Sequence, residues 1–144
     1  MKTKLLYDGP PRTWALVLEK GEDVVRELTR FAERQHITAA HFEAIGAFER
    51  AVIRYFDWQT KQYQPTQVNE QVEVVAFTGN VTVKPDGGTK AHIHTVLAKR
   101  DSSAIGGDLG EGIVRPTLEV IVTEEPSYLS RKEDPETGLA LIAP

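Results

Sequence analysis

Residues 71–98 read QVEVVAFTGNVTVKPDGGTKAHIHTVLA, and this stretch decides the fold. Two runs with the composition of strands, residues 71–84 and 89–98, flank the four residues Pro85-Asp86-Gly87-Gly88. Proline fixes φ and glycine permits positive φ, so these four residues predict a turn and the whole stretch predicts a β-hairpin. Gly79 lies inside the first run, where a glycine indicates a bulge or the close approach of another backbone segment.

The remaining sequence adds one helix and four strands around this hairpin. The helix is predicted over residues 22–34, where apolar side chains recur at helical spacing on one face and Glu22 and Asp23 suit its N-terminus. One main helix near the N-terminus among many strands predicts an α+β fold with a largely antiparallel sheet. Gly46 separates two of the strands, and Pro116 places the start of the last one at an edge or a bulge. The strands are predicted at residues 12–19, 38–45, 48–58 and 114–123.

Length and composition restrict the class of protein. The chain has 144 residues, 40% hydrophobic and 26% charged, which predicts one globular domain over residues 1–144. It contains no cysteine, which excludes a disulfide framework, a thiolate metal site and a cysteine nucleophile. No apolar run is long enough to span a membrane, and residues 1–8 lack the apolar segment of a signal peptide, so we expect a cytoplasmic protein without a membrane partner. Residues 124–144 are predicted to form an extended C-terminal arm that ends in an apolar stretch.

The triplet His92-Ile93-His94 is the most informative chemical feature. Residues two apart on a strand point to the same side, so both imidazoles can bind one metal ion. Gly106 and Gly107 permit a close backbone approach, and the following Asp108 can supply a third ligand to a divalent ion such as Zn²⁺. The alternatives are two half-exposed strand histidines without a ligand, and a tight turn at the glycines.

Other residues allow weaker hypotheses. If the protein is an enzyme, Glu43, Glu111 or Glu119 is a candidate general base, and one sequence does not select among them. Arginines at every fourth position of the helix predict either a basic stripe or, preferably, a solvated face with interspersed glutamates. The aromatic residues around Arg54 predict either a nucleic-acid platform or, preferably, sheet core and rim. The arginines are Arg26, Arg30 and Arg34, and the aromatic residues are Tyr55, Phe56, Trp58 and Tyr63.

Several stretches occur together in the order and spacing of a known family. From about Trp14 onward the chain resembles a stand-alone PPC domain, the "plants and prokaryotes conserved" domain, whose bacterial and archaeal members are generally described as predicted DNA-binding proteins. The apolar tail also fits the bacterial branch. The matching stretches are Ala44-Ile45-Gly46-Ala47-Phe48, residues 71–80, His92-Ile93-His94, Gly106-Gly107-Asp108-Leu109 and residues 115–120.

The resemblance implies a PPC-like subunit of a homotrimer in which the His-x-His triplet lies near the Gly-Gly segment, where some prokaryotic relatives hold a metal ion. It therefore implies one divalent ion per subunit, bound by His92, His94 and Asp108. Relatives usually have Gly-Gly-His-Leu here, so Asp108 replaces a third imidazole by a carboxylate. This change alters the length and charge of the ligand, which favours a different ion or an empty site.

Two functions of different classes follow. The first is a homotrimeric PPC-domain protein that acts as a DNA-binding or DNA-associated regulatory module. The formal net charge of −4 per chain, or about −12 for three subunits, disfavours DNA binding, and the Arg-Gly-Arg-Pro core of the plant AT-hook is absent. The alternative is a metal-dependent small-molecule-binding protein or enzyme that uses the His-x-His and Gly-Gly-Asp residues. The sequence leaves open whether the protein is an enzyme.

Overall fold

The computed structural model describes residues 1–126 and 128–143, which form one α-helix and nine strands. The chain is mostly β, with the single helix near the N-terminus, and every strand pairing except that of β5 with β8 is antiparallel. The elements are β1 (Lys2–Tyr7), β2 (Thr13–Glu19), α1 (Val24–Gln35), β3 (Ala40–Asp57), β4 (Gln62–Val68), β5 (Val72–Val83), β6 (Thr89–Ala98), β7 (Ala104–Glu124), β8 (Ser130–Glu133) and β9 (Ala140–Ala143).

Four strands form a closed ring. β3 pairs with β5 and with β7, and β6 also pairs with both, so the pairing returns to its starting strand. β2 and then β1 extend the sheet from β7, while β4 pairs with the second half of β3. Side chains alternate across each strand, so every second residue of the ring points into one core. Its largest fully buried members include Phe42, Phe48, Ile93, Leu97 and Leu109.

The helix α1 has local start and stop signals and one buried face. The Asp23 side chain accepts a hydrogen bond from the Val25 amide at 3.1 Å, which satisfies one free donor of the first turn. His36 ends the helix in the left-handed conformation at φ 56°. The buried ring of Phe31 lies edge-on to Trp14 of β2, with 5.4 Å between ring centroids. Among the described residues, no helix is long and apolar enough to cross a membrane.

The predicted hairpin is confirmed. Lys84 and Gly88 close the turn with a backbone hydrogen bond of 2.7 Å, and β5 pairs with β6 from Val83 opposite Thr89 onward. The close approach expected at Gly79 is also confirmed. A Cβ atom at this position would lie 2.3 Å from the carbonyl oxygen of His92 and 2.6 Å from the Phe42 ring.

Two predicted strand boundaries were wrong. Residues 38–45 and 48–58 belong to one continuous strand, β3, because Gly46 sits at a bulge instead of ending the strand. Gly46 has φ +148°, and a Cβ atom there would lie 2.3 Å from the Thr117 carbonyl oxygen. Pro116 lies opposite this irregularity, so the bulge predicted at the proline is present, but it falls inside the strand and not at its start. The last long strand begins at residue 104 instead of residue 114, so it includes the glycine-rich segment.

The sequence did not predict four strands, and two of them lie in the C-terminal arm. β8 and β9 form an antiparallel hairpin, and Ser130 of β8 pairs with Val83 of β5. The buried Arg131 side chain fixes this hairpin to β5, where its Nε atom donates to the Thr82 hydroxyl at 2.5 Å. The other two unpredicted strands, β1 and β4, have largely exposed side chains.

Candidate metal centre

Strand pairing brings the two histidines and the aspartate together. His92 and His94 lie on the same side of β6, and Asp108 of β7 is the register partner of His94. Each of the three residues offers one ligand atom, and these atoms all lie within 4.8 Å of one another. His92 Nε2 and Asp108 Oδ1 are 3.2 Å apart, and the two imidazole ring centroids are 5.1 Å apart.

The Asp108 carboxylate is buried and bound on both sides. Arg54 of β3 is the other register partner of Asp108, and its Nε atom donates to Oδ2 at 2.6 Å. Burial opposes ionisation of the carboxyl group, but the hydrogen bond from His92 and the charge of Arg54 outweigh it and lower the pKa of Asp108 below its ordinary value. The carboxylate is therefore charged at neutral pH, with Oδ2 bound by Arg54 and Oδ1 facing the imidazoles.

This donor set fits a divalent ion. Ligand bonds of about 2.0–2.1 Å to a tetrahedral zinc ion place neighbouring ligand atoms roughly 3.3 Å apart. The 3.2 Å separation of His92 Nε2 and Asp108 Oδ1 agrees with this spacing. Arg54 fixes the second carboxylate oxygen, as an outer partner does in many metal sites. Two imidazoles and one carboxylate would leave a fourth position for water or a substrate.

The glycine-rich segment is a strand, so the alternative of a tight turn was wrong. The turn lies earlier, where the Ser102 amide donates to the Lys99 carbonyl at 2.9 Å. A Cβ atom on Gly106 would lie 2.8 Å from the Thr95 carbonyl oxygen of β6. One on Gly107 would lie 2.8 Å from the Arg54 carbonyl oxygen of β3. The absence of side chains here lets β7 lie between β6 and β3, which brings Asp108 to both His94 and Arg54.

The other candidates from the sequence lie apart from this cluster. Glu111 pairs with Arg50 at 3.3 Å, and Glu43 and Glu119 line a groove formed with Ile45, Val75 and Ile121. Within residues 1–126 and 128–143, no glutamate belongs to a group of three potential metal ligands. The structure therefore does not select a general base among the three glutamates.

Two of the three helix arginines have a partner of opposite charge. Arg26 and Arg30 both contact Glu27, at 3.5 Å and 3.2 Å, which fits the preferred interpretation of a solvated face. The aromatic residues around Arg54 divide between two environments. Arg54 lies over the Tyr63 ring, 4.8 Å from its centroid, whereas Trp58 is exposed and packs under Lys61. The preferred interpretation as sheet rim thus fits this end of β3.

Four polar residues beside the cluster were missed by the sequence analysis. Lys90 precedes His92 by two residues on the same side of β6, and Asn80 of β5 is the register partner of His92. Arg131 of β8 donates to Asn80 Oδ1 at 2.7 Å and to Thr82. The period-two rule that selected the histidines also selects Lys90. No local pattern connects Arg131 with β5, because the two segments are about fifty residues apart.

The fold and this cluster define a small, mostly β protein with a candidate metal centre of two histidines and one aspartate. Residues 6–126 match the model of the Plants and Prokaryotes Conserved domain, abbreviated PCC or PPC. The chain belongs to this family, so the resemblance noted from the sequence is confirmed.

Solved structures of relatives agree with this assignment. The metal-containing protein AF0104 from Archaeoglobus fulgidus is 34% identical, with coverage of 100% of this chain and 99% of that one and a TM-score of 0.85. A PPC protein from Pyrococcus horikoshii is 28% identical over 92% of each chain, with a TM-score of 0.86. A protein from Ralstonia eutropha, described as a predicted DNA-binding protein, is 28% identical over 90% of each chain, with a TM-score of 0.83.

One curated relative is much longer than this chain. The bifunctional protein GlmU from a Synechococcus strain is 33% identical over 136 residues, which are 92% of this chain. The chain spans 20% of the length of that relative. The likeness therefore concerns one segment of the longer protein.

Proposed function

We propose that this protein binds one divalent metal ion per chain through His92, His94 and Asp108. The observation that carries the proposal is the convergence of three ligand atoms from paired strands within 4.8 Å, around a carboxylate that is buried and already ionised. The metal-containing relative AF0104, which matches the whole chain at 34% identity, supports it.

The ligand types and Arg54 bear on the identity of the ion. Imidazole suits zinc and similar transition metals, whereas a carboxylate shifts preference toward harder ions such as Mn²⁺. The Arg54 guanidinium lies on the carboxylate and opposes a second positive charge there, which weakens binding. When bound, the ion would polarise an oxygen ligand or lower the pKa of a bound water molecule. The residues present hold and orient such an ion.

Two experiments test this proposal. The metal content of the purified protein is measured first, and the metal-free protein is then titrated with Zn²⁺ and with Mn²⁺ by calorimetry. We expect saturable binding of one ion per chain. The Asn69→Ala variant, altered in the connection between β4 and β5, is a suitable control because it changes no residue of the cluster. A flat trace with both ions for the native protein and for the Asp108→His variant would exclude the proposed site.

We expect metal binding to weaken as the pH falls below about 6. Imidazole must be neutral to bind a metal ion, and a free histidine side chain takes up a proton near pH 6.5. Protonation of Asp108 does not determine the pH at which metal binding weakens. The pKa of Asp108 is lowered in the folded protein, so the carboxylate is lost only as the pH falls below the ordinary range for an aspartate. Zinc affinity measured at about pH 5 and pH 7.5 checks this, and equal affinities would contradict it.

We further propose that the protein is a homotrimer whose subunits contact one another through the apolar groove, defined by Ile45, Val75 and Ile121. The exposed fractions of these side chains are 64%, 61% and 46%. Monomeric proteins rarely expose large apolar side chains side by side on neighbouring strands. The groove has a volume of about 410 Å³ and adjoins a smaller groove beside His94. A second copy seated there would cover the open side of the metal centre.

The oligomer is expected to dissociate when Ile45 is replaced by glutamate. The new carboxylate would lie beside Glu43 and Glu119 in the apolar groove, so burial would place three like charges together. Light scattering should give about three times the chain mass of 16.0 kDa for the native protein and a smaller mass for Ile45→Glu. Tyr55→Glu, which changes an exposed aromatic residue outside the groove, should leave the mass unchanged. A native mass near that of one chain would contradict the proposal.

DNA binding is a second candidate function, supported by the Ralstonia eutropha relative described as a predicted DNA-binding protein. We expect at most weak, sequence-indifferent binding, because the chain has a formal net charge of −4 and Arg26 and Arg30 of the helix contact Glu27. Affinity that depends mainly on phosphate contacts falls steeply with salt. Fluorescence anisotropy of labelled duplexes at rising salt concentration checks this. Tight, sequence-selective binding at physiological salt would contradict it.

A further inference from the structure

Two cationic side chains beside the metal centre have no acidic partner. Lys90 is half-buried and Arg131 is only 5% exposed. Within residues 1–126 and 128–143, neither has a carboxylate oxygen within 4.0 Å of its side-chain nitrogens. Buried cations are rare without a paired anion, so this pair requires an explanation.

Neutral groups hold the Arg131 guanidinium in place. Its Nε atom donates to the Thr82 hydroxyl at 2.5 Å, its Nη1 atom to the Ala140 carbonyl at 2.7 Å, and its Nη2 atom to the Asn80 side-chain oxygen at 2.7 Å. These bonds orient the group and leave its positive charge uncompensated. A guanidinium has five N–H donors, so three bonds do not exhaust it.

Strand register places this charge next to Lys90 and the candidate metal ligands. Thr82 and Asn80, which bind Arg131, are the register partners of Lys90 and His92. Lys90 lies directly opposite Thr82, whose hydroxyl accepts the hydrogen bond from Arg131. The two cations are therefore neighbours on one face of the β5–β6 pair, and an anion between them would relieve the repulsion of their like charges.

The local charge is opposite in sign to that of the whole chain. Arg54, Lys90 and Arg131 contribute three positive charges around one carboxylate, that of Asp108, while the chain as a whole is at −4. A divalent ion at the proposed metal centre would add two more positive charges. The site therefore carries an excess of positive charge, with or without the metal ion, which an anion would offset.

We propose that this site binds a small oxyanion, a carboxylate or phosphate group, through the Lys90 ammonium, with the Arg131 charge behind it and the metal ion beside it. The contact between the anion and the metal ion rests on the metal centre proposed above. The groups are recessed, since Arg131 and Asp108 are each only 5% exposed, which favours a small molecule over the backbone of a DNA duplex. The metal-dependent protein would thus act on or bind a small organic anion.

Calorimetric titration at low ionic strength tests this with two probes, inorganic phosphate for the metal-free protein and malonate for the metal-free and zinc-loaded forms. We expect one phosphate per chain, and malonate affinity about tenfold higher in the zinc-loaded form. Lys90→Met should weaken phosphate binding about tenfold, because a charge-assisted contact is lost. The control variant Lys99→Met removes a lysine that pairs with Glu70 at 3.0 Å, just beyond the other end of β6, and should change nothing.

The outcomes separate the two proposals. Zinc affinity of Lys90→Met should equal or exceed that of the native protein, because a nearby positive charge is removed without touching a ligand. If zinc does not bind at all but phosphate binding depends on Lys90, the metal centre is refuted and the anion site stands. Equal phosphate affinities of Lys90→Met and Lys99→Met would overturn the anion site. Displacement of phosphate by a short DNA duplex would also overturn it, by identifying the face as a nucleic-acid contact.

Discussion

Replacing Asp108 by alanine is expected to weaken zinc binding by about a hundredfold or more, to the point where calorimetry detects none. The variant removes the buried, ionised ligand and leaves Arg54 as an uncompensated positive charge beside the two imidazoles. Replacing Asp108 by histidine should have the opposite effect and strengthen zinc binding about tenfold or more, because imidazole is the better zinc ligand. Titrations of the native protein and both variants under identical conditions measure these changes.

Asp101→Ala is the matched control for the Asp108 variants. Asp101 lies in the turn between β6 and β7, where it is exposed and bonds only to Ser103 among the described residues. We expect this variant to bind zinc as the native protein does. Circular dichroism should show all three variants folded, because Arg54 is partly exposed and can be hydrated when its partner is removed. Undiminished zinc binding by folded Asp108→Ala would refute the assignment of Asp108 as a ligand.

Gly79→Ala is expected to produce the largest loss of stability among single substitutions in the hairpin. The added methyl group would lie 2.3 Å from the His92 carbonyl oxygen and 2.6 Å from the Phe42 ring, and neither is the free end of a flexible chain. To remove these two close contacts, β5 must move away from β6 or from the core. Overpacking of this kind costs about 3 kcal/mol, which corresponds to roughly 10 °C in melting temperature for a chain of this size. Thermal denaturation followed by circular dichroism measures the effect.

Gly88→Ala distinguishes this steric effect from a general cost of replacing glycine. In the turn of the same hairpin, a Cβ atom on Gly88 would meet the end of the Lys84 side chain at 2.9 Å, and that side chain can rotate away. We expect a melting temperature close to that of the native protein. Because the displaced atom in Gly79→Ala belongs to His92, the variant should also bind zinc more weakly. Equal melting temperatures for the two variants would show that the sheet adapts to the added methyl group.

The parts of the fold that depend on local signals were predictable from the sequence. The turn at residues 85–88 has its own proline and glycines, and α1 has both an apolar face and an N-terminal cap. The continuity of β3 was not predictable, because Gly46 is a bulge only by virtue of its contact with Thr117. β4 was missed since its side chains are mostly polar and exposed, so alternation gives no signal there.

At the candidate site, too, local signals predicted some residues, and only long-range strand pairing brought in the others. The period of a strand was enough to place His92 and His94 on one side, and the glycines pointed to a close approach near Asp108. The pairing of Asp108 with Arg54 depends on the register of β3 with β7, which joins residues 54 positions apart. Arg131 reaches β5 across a similar span. The sequence therefore could not place Arg54 and Arg131, two of the three cations at the site, whereas the strand period already selects Lys90.

The closed ring of strands has a consequence for folding during synthesis. β7 joins β3 to β6 and so closes the ring that β5 begins, and it places Thr123 opposite Thr13 and Glu124 opposite Ala40. Until residue 124 has left the ribosome, the nascent chain has the apolar sides of β3, β5 and β6 without the strand that closes them. Because this closing strand lies so late in the chain, the ring acquires its native structure only after residues 1–124 have been made.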